Sequence, residues 1–243
     1  MTELEPTRSR EADHAKPRAM LDRELQALEE KILALGSEVE QNITEAVDVL
    51  YKRDLIASRA LIEADQEVNR KRIAIMNDAL TLIATQQPMA GDMRRIASSL
   101  EIIGELERIN DYVKGIARNS LMISPEPLPQ ALEGLPQMAE ITREMLHRAL
   151  DAFSRRDASL AKAIPDEDDQ VDDLFNRTYR RLLRYAAENP TSLEQVNSLE
   201  WVAHNLERAA DRVTNICEWV VYAVEGVYVE MDSELEAPPT LDG

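Results

Sequence analysis

The chain has 243 residues, with 46 acidic side chains against 28 basic ones and a formal net charge of -18. That surplus argues against broad binding to nucleic acid or anionic membrane, both of which need cationic surface, and suits hard cations or basic protein patches. Only 4% of residues are aromatic and seven are glycine, a composition that favours helix over sheet. Cys217 is the single cysteine, so no internal disulfide can form, as fits a reducing compartment. No apolar run approaches the roughly 20 residues of a membrane span, and Met1 to Met20 holds no apolar secretory core. A soluble cytoplasmic protein is expected.

Residues 1–19 are polar and aperiodic and read as a disordered leader. From Leu21 to Lys52, apolar positions such as Leu28, Ile32, Leu35, Val39 and Ile43 form one seam of a long helix. Asp54 is placed to cap a short helix through Ile62, and Asp65 to begin the next one. That helix ends before Gln86-Gln87-Pro88, where Met89-Ala90-Gly91-Asp92 turns the chain into a third helix, about Met93–Met122. Pro125, Pro127 and Pro129 make residues 125–134 a linker that cannot be helical throughout.

The order then recurs. A helix is expected over Leu135–Arg155, and Arg156-Asp157 matches Arg53-Asp54 at an offset of 103. Leu160, Ala161 and Ile164 resemble the short helix, and Asp168-Asp169-Gln170-Val171-Asp172 aligns with Asp65-Gln66-Glu67-Val68-Asn69. Asn189-Pro190 closes that helix, a last one runs from Leu193 to about Val229, and residues 230–243 form an acidic tail expected to be mobile. The reading is an all-α fold of two tandem three-helix bundles related by an internal repeat, residues 20–124 and 135–229.

The strongest self-similarity lies on the third helix of each unit. Leu106-Glu107-Arg108-Ile109-Asn110-Asp111 and Leu206-Glu207-Arg208-Ala209-Ala210-Asp211 coincide at an offset of 100. Residues 102, 106, 109, 113 and 116 and their counterparts 202, 206, 209, 213 and 216 form an apolar seam. Glu107 and Asp111, like Glu207 and Asp211, are four apart and therefore neighbours on another face. Like charges so placed repel, which invites a metal, a partner or nearby cations such as Arg108 and Lys114 to compensate them. If the second and third helices pack antiparallel, Asp65 and Asn69 in the first unit, and Asp168 and Asp172 in the second, could converge on these pairs as oxygen donors. Asp65 and Asp168 equally suit capping at a helix start.

Other chemistry is sparse. There is no phosphate-binding glycine loop, serine elbow or zinc-spaced cysteine pair. Glu144-Met145-Leu146-His147 has the Glu-x-x-His spacing of di-iron bundles, which require two such motifs and further glutamates; one is present. His204 reads as a surface or packing residue, and Trp201, Trp219, Tyr222 and Tyr228 as core or interface.

Gln86-Gln87-Pro88-Met89-Ala90-Gly91-Asp92-Met93-Arg94, the two Leu-Glu-Arg-x-x-Asp segments and Asn215-Ile216-Cys217-Glu218-Trp219-Val220-Val221-Tyr222 together resemble the PhoU family of phosphate-signalling accessory proteins, over about Leu21–Tyr228. The resemblance implies two three-helix bundles with multinuclear iron or other metal sites, zinc, manganese and magnesium being alternatives. By matching position the ligands are Glu107, Asp111, Glu207 and Asp211, joined by Asp168 and Asp172; Asn69 departs from the carboxylate pattern. It further implies a non-enzymatic regulator of the phosphate regulon acting through the ATPase subunit of the Pst phosphate ABC transporter and a PhoR-type sensor histidine kinase. A homodimer is the expected assembly. A ferritin-like di-metal enzyme and a metal-free helical scaffold remain as alternatives.

Overall fold

The computed structural model describes residues 8–123 and 128–231. Its helices are α1 (Arg8–Lys52), α2 (Leu55–Gln86), α3 (Ala90–Met122), α4 (Leu135–Arg155), α5 (Ala158–Ala163), α6 (Asp168–Glu188) and α7 (Leu193–Glu225). Single 3-10 turns at Gln130–Leu132, Pro165–Glu167 and Pro190–Ser192 lead into α4, α6 and α7, and the described residues contain no strand.

The two units share their corner chemistry. Arg53 and Arg156 both adopt the left-handed conformation, at φ 57° and 56°. The amides that follow reach back to the preceding helix, Asp54 N to Val49 O at 3.0 Å and Asp157 N to Ala152 O at 2.9 Å. Each aspartate then caps the next helix: Asp54 accepts from the Ile56 and Ala57 amides, and Asp157 from that of Leu160. This satisfies donors that a helix start otherwise leaves open.

Three expectations require correction. Part of the leader is helical, because α1 begins at Arg8; buried Leu21 and Leu25 and the ion pair of Arg18 with Asp92 hold this end of α1 against the body, and extending an existing helix is cheap. Residues 1–7 of that leader, 124–127 at the linker and 232–243 of the tail lie outside the described residues. Asp65 begins no helix, since α2 runs unbroken past it. The separate short helix exists only in the second unit, where Pro165 cannot donate an amide hydrogen and α5 stops at Ala163; Ile62 stands at the matching position of α2. Finally, α7 ends at Glu225 because Gly226 takes φ 77° as its C-cap.

Ile102, Leu106, Ile109, Val113 and Ile116 on α3, and Val202, Leu206, Ala209, Val213 and Ile216 on α7, are all buried. α3 and α7 form the most extensive helix pair in the molecule, so each unit's third helix packs against the other's. The pair runs antiparallel: Glu105 of α3 meets Asn215 of α7, and at the far end Gly115 of α3 meets Asn205 of α7. A Cβ on Gly115 would stand 2.8 Å from Asn205 Nδ2. A second junction joins α1 to α4, where a Cβ on Gly36 would stand 2.3 Å from Leu150 Cδ1. Through these two junctions the apolar side chains of both units form one continuous core.

Gly104, on the same helix as Gly115, has nothing within 4 Å of where a Cβ would stand. Gly104→Ala is therefore expected to stabilise the protein by about 0.5–1 kcal/mol, the helix-interior cost of glycine. Gly115→Leu should destabilise it by about 1–3 kcal/mol through overpacking against buried Asn205. Urea denaturation followed by circular dichroism checks both signs.

Candidate functional site

In the first unit the structure brings Asp65 and Asp111 together, but around a lysine. Lys114 Nζ donates to Asp65 Oδ2 at 2.6 Å and also to Asp111 Oδ1. Asn110 Nδ2 donates to the other Asp65 oxygen at 3.0 Å, and Asn42 Nδ2 on α1 donates to Asn110 Oδ1 at 2.9 Å. Asp65 thus anchors α2 to α3 rather than capping a helix. Burial alone would lower the Lys114 pKa, but the hydrogen bonds it donates to Asp111 and Asp65 outweigh it and hold the ammonium above its ordinary value. Glu107 is left with the residual repulsion: burial first, then the Asp111 charge, pushes its carboxyl above the usual range, opposed by Arg72. Asn69 accepts from Arg72 Nε at 3.4 Å. The ammonium already occupies the place between the two aspartates that a metal would need, so this unit does not fit a metal.

The second unit has the same carboxylates without the lysine. Thr214 stands where the offset of 100 puts Lys114, and Ala210 stands opposite Asn110. Glu207 and Asp211 are mostly buried, at 19% and 17% side-chain exposure, against 47% for Asp111. Arg208 Nη1 donates to Asp211 Oδ2 at 3.0 Å, and His204 Nδ1 lies 3.3 Å from Glu207 Oε2. On α6, Asp168 is buried in the first turn, where the helix dipole favours it, and Asp172 is exposed. Thr214 Oγ1 is buried and has no hydrogen-bond partner among the described residues. Thr214 follows Asp211 by three residues, on the same side of α7 as Glu207. These are hard oxygen donors of the kind Mg2+, Mn2+ or iron accepts. Among the described residues, however, no three His, Cys, Asp or Glu side chains are placed to hold a metal ion. Binding here requires Arg208 and His204 to release the carboxylates they hold.

The remaining candidates disperse. Glu144 pairs with Arg143, and His147 lies 3.3 Å from Glu40 on α1. His204 packs against Phe175 and Trp201. Trp219 packs against Tyr222 and Tyr228, whose hydroxyl donates to buried Glu218 at 2.6 Å. Sequence reasoning named Lys114 only as a nearby compensating cation and passed over Asn110 and Asn42 as parts of the site. The available signal was the mismatch of the repeats, Lys114 against Thr214 and Asn110 against Ala210.

Lys114→Met should lower stability at neutral pH by about 1–3 kcal/mol, the cost of leaving hydrogen-bonded carboxylates without their cation. Glu107→Gln should act the other way. A carboxyl whose folded pKa is raised gains stability as pH falls through that value and costs stability above it. Removing its charge should therefore raise neutral-pH stability by a few tenths of a kcal/mol. Denaturation midpoints at pH 7 and pH 4 read both effects.

With this geometry in place, comparison with known proteins identifies the family. A family profile described as the PhoU domain matches residues 32–120 and again 135–220, one match on α1–α3 and one on α4–α7. The phosphate-specific transport system accessory protein PhoU of Edwardsiella tarda is 34% identical over 203 residues, covering 84% of this chain and 84% of that protein. Its counterpart in Escherichia coli K12 is 33% identical over the same shares. The crystal structure of the phosphate transport system regulatory protein PhoU from Streptococcus pneumoniae superposes with a TM-score of 0.81 at 30% identity, covering 86% of this chain and 99% of that one. PhoU from Pseudomonas aeruginosa gives a TM-score of 0.78 at 30% identity. The chain belongs to the PhoU family.

Proposed function

We propose that this protein is a non-enzymatic accessory regulator of phosphate uptake that works in the cytoplasm by docking. Its partners in this reading are the ATPase subunit of a Pst-type phosphate ABC transporter and a PhoR-type sensor histidine kinase. The observation that carries it is the pair of PhoU domains filling most of a chain whose relatives are named phosphate-specific transport system accessory proteins. No helix among the described residues is long and apolar enough to cross a membrane, so access to a transporter would come by binding to it. A net charge of -18 suits basic partner surfaces, and such complementarity speeds encounter and selects partners more than it tightens the complex. Tyr179 and Leu183 on α6, with Leu193 and Trp201 on α7, are large apolar side chains left exposed. Of these, Tyr179 and Trp201 belong to one aromatic cluster with Phe175 and His204; they support an interface there, and a homodimer is the assembly we assign to it.

Metal in this reading belongs to the second unit alone. Glu207, Asp211, Asp168 and Asp172 supply the oxygens and Thr214 a neutral donor, whereas Lys114 serves as the internal cation of the first. Elemental analysis of protein purified without a metal-binding tag should show that Glu207→Ala/Asp211→Ala loses bound metal and Glu107→Ala/Asp111→Ala does not. Equal metal in both variants and wild type contradicts the assignment. The docking reading is tested by retention of the two partners from phosphate-replete cells. Retention is expected at low salt and should fall at high salt, with a phosphate-regulon reporter altered in a deletion strain. An unchanged reporter together with no partner retained at low salt refutes it.

A further inference from the structure

The Pro88–Arg95 stretch, which leads into α3 and forms its first turn, has no part in the acidic sites, yet it lines an arginine-rich recess of an acidic molecule. A cleft of about 330 Å3 opens between the early turns of α1, the start of α3, the end of α4 and the last turns of α7. Arg18, Arg94, Arg95 and Arg156 line it against two carboxylates, Glu29 and Asp92, in a chain where acids outnumber bases 46 to 28. Phe153 and Val220 contribute apolar wall.

The four guanidiniums are not equally engaged. Arg18 is committed: it meets both oxygens of buried Asp92, at 2.6 and 3.0 Å, and Asp22 at 3.1 Å. Arg95 and Arg156 share one carboxylate, Arg95 Nη2 at 2.7 Å from Glu29 Oε1 and Arg156 Nη2 at 3.8 Å from the same oxygen. Arg94 makes no ion pair with any described residue. Arg94 Nε and Arg95 Nε are both buried without a hydrogen-bond acceptor. Buried donors left in that state cost free energy that an acceptor would recover. Arg94 lies beside the left-handed turn that ends α7, its Nε 3.3 Å from where a Cβ on Gly226 would stand. A guanidinium outside any ion pair, with an unsatisfied Nε–H, beside two partly engaged guanidiniums is an arrangement suited to recognising a tetrahedral oxyanion.

We propose that this cleft binds a small oxyanion of the phosphate class, free or carried as the phosphoryl group of a small metabolite, with Arg94 as its principal ligand and Arg95 and Arg156 completing the site. Glu29 competes with the anion for those two arginines. The proposal is independent of the docking and metal readings, and its test uses neither partner nor metal.

The experiment is thermal unfolding of the full chain titrated with inorganic phosphate at constant ionic strength, balanced with sodium chloride, and in parallel with adenosine monophosphate. Wild type should show a saturable rise in Tm with one or both probes; phosphate alone assigns the free anion, and a tighter response to the nucleotide assigns a carried phosphoryl group. Arg94→Met should weaken the response at least tenfold, while Arg180→Met, on the exposed face of α6, should leave it unchanged. Glu29→Gln should tighten it, which decides the matter even if the Arg94 variant folds poorly. No saturable rise beyond the chloride control with either probe, an unaltered response in a folded Arg94→Met protein, or an unaltered response in Glu29→Gln overturns the proposal.

Discussion

Everything in this molecule depends on the antiparallel packing of α3 against α7. Each helix is the third of its unit, each carries an uninterrupted buried seam, and beside those seams the two helices meet through the face that holds Glu105 and Gly115 on α3 and Asn205 and Asn215 on α7. The reversal of partners, Glu105 with Asn215 and Gly115 with Asn205, is what a duplicated helix produces when it packs on its own copy about a pseudo-twofold axis. Close approach is bought with small side chains, Gly115 here and Gly36 at the α1–α4 junction. The acidic pairs ride on the same two helices, so the crossing also sets where both candidate sites face.

Within that shared frame the two copies have diverged in how they hold negative charge. The first resolves it internally: one ammonium, two amide side chains and two aspartates form a chain of hydrogen bonds that ties α1, α2 and α3 together. The second has lost the ammonium and the central amide, keeps its carboxylates more deeply buried, and holds them with arginine and histidine. Lys114 is held by aspartates from two helices at once, whereas Arg208 and His204 pair only with carboxylates of their own helix. Duplicated motifs therefore do not imply duplicated sites.

Much of this was legible in the sequence. Helical periodicity and the Arg-Asp corners located the elements, and the offset of 100 marked the acidic pairs, because burial and capping are written in local residue spacing. The break at Asp65 was misplaced because an aspartate that could start a helix also tolerates an interior position, and only a proline such as Pro165 forces the chain to stop. The lysine at the centre of the first site was treated as background, since spacing along one helix cannot say that Asp65 from α2 arrives on the same ammonium. The reciprocal pairing of α3 with α7 was not legible at all: an apolar seam states that something covers it, never what. The arginine cleft belongs to the same class, its four side chains coming from two helices, α1 and α3, and the corner after α4, far apart in the chain.

The central claim is that the α3–α7 crossing makes the two PhoU domains one cooperative unit rather than two linked bundles. Both tryptophans, Trp201 and Trp219, lie on α7, so their fluorescence reports the second unit, while far-ultraviolet circular dichroism reports helices of both. Equilibrium urea unfolding monitored by the two signals tests the claim most directly. Superimposable transitions with a common midpoint and slope are predicted. A circular dichroism curve with a second helical phase, displaced from the fluorescence transition, would show that the units unfold separately and contradict it.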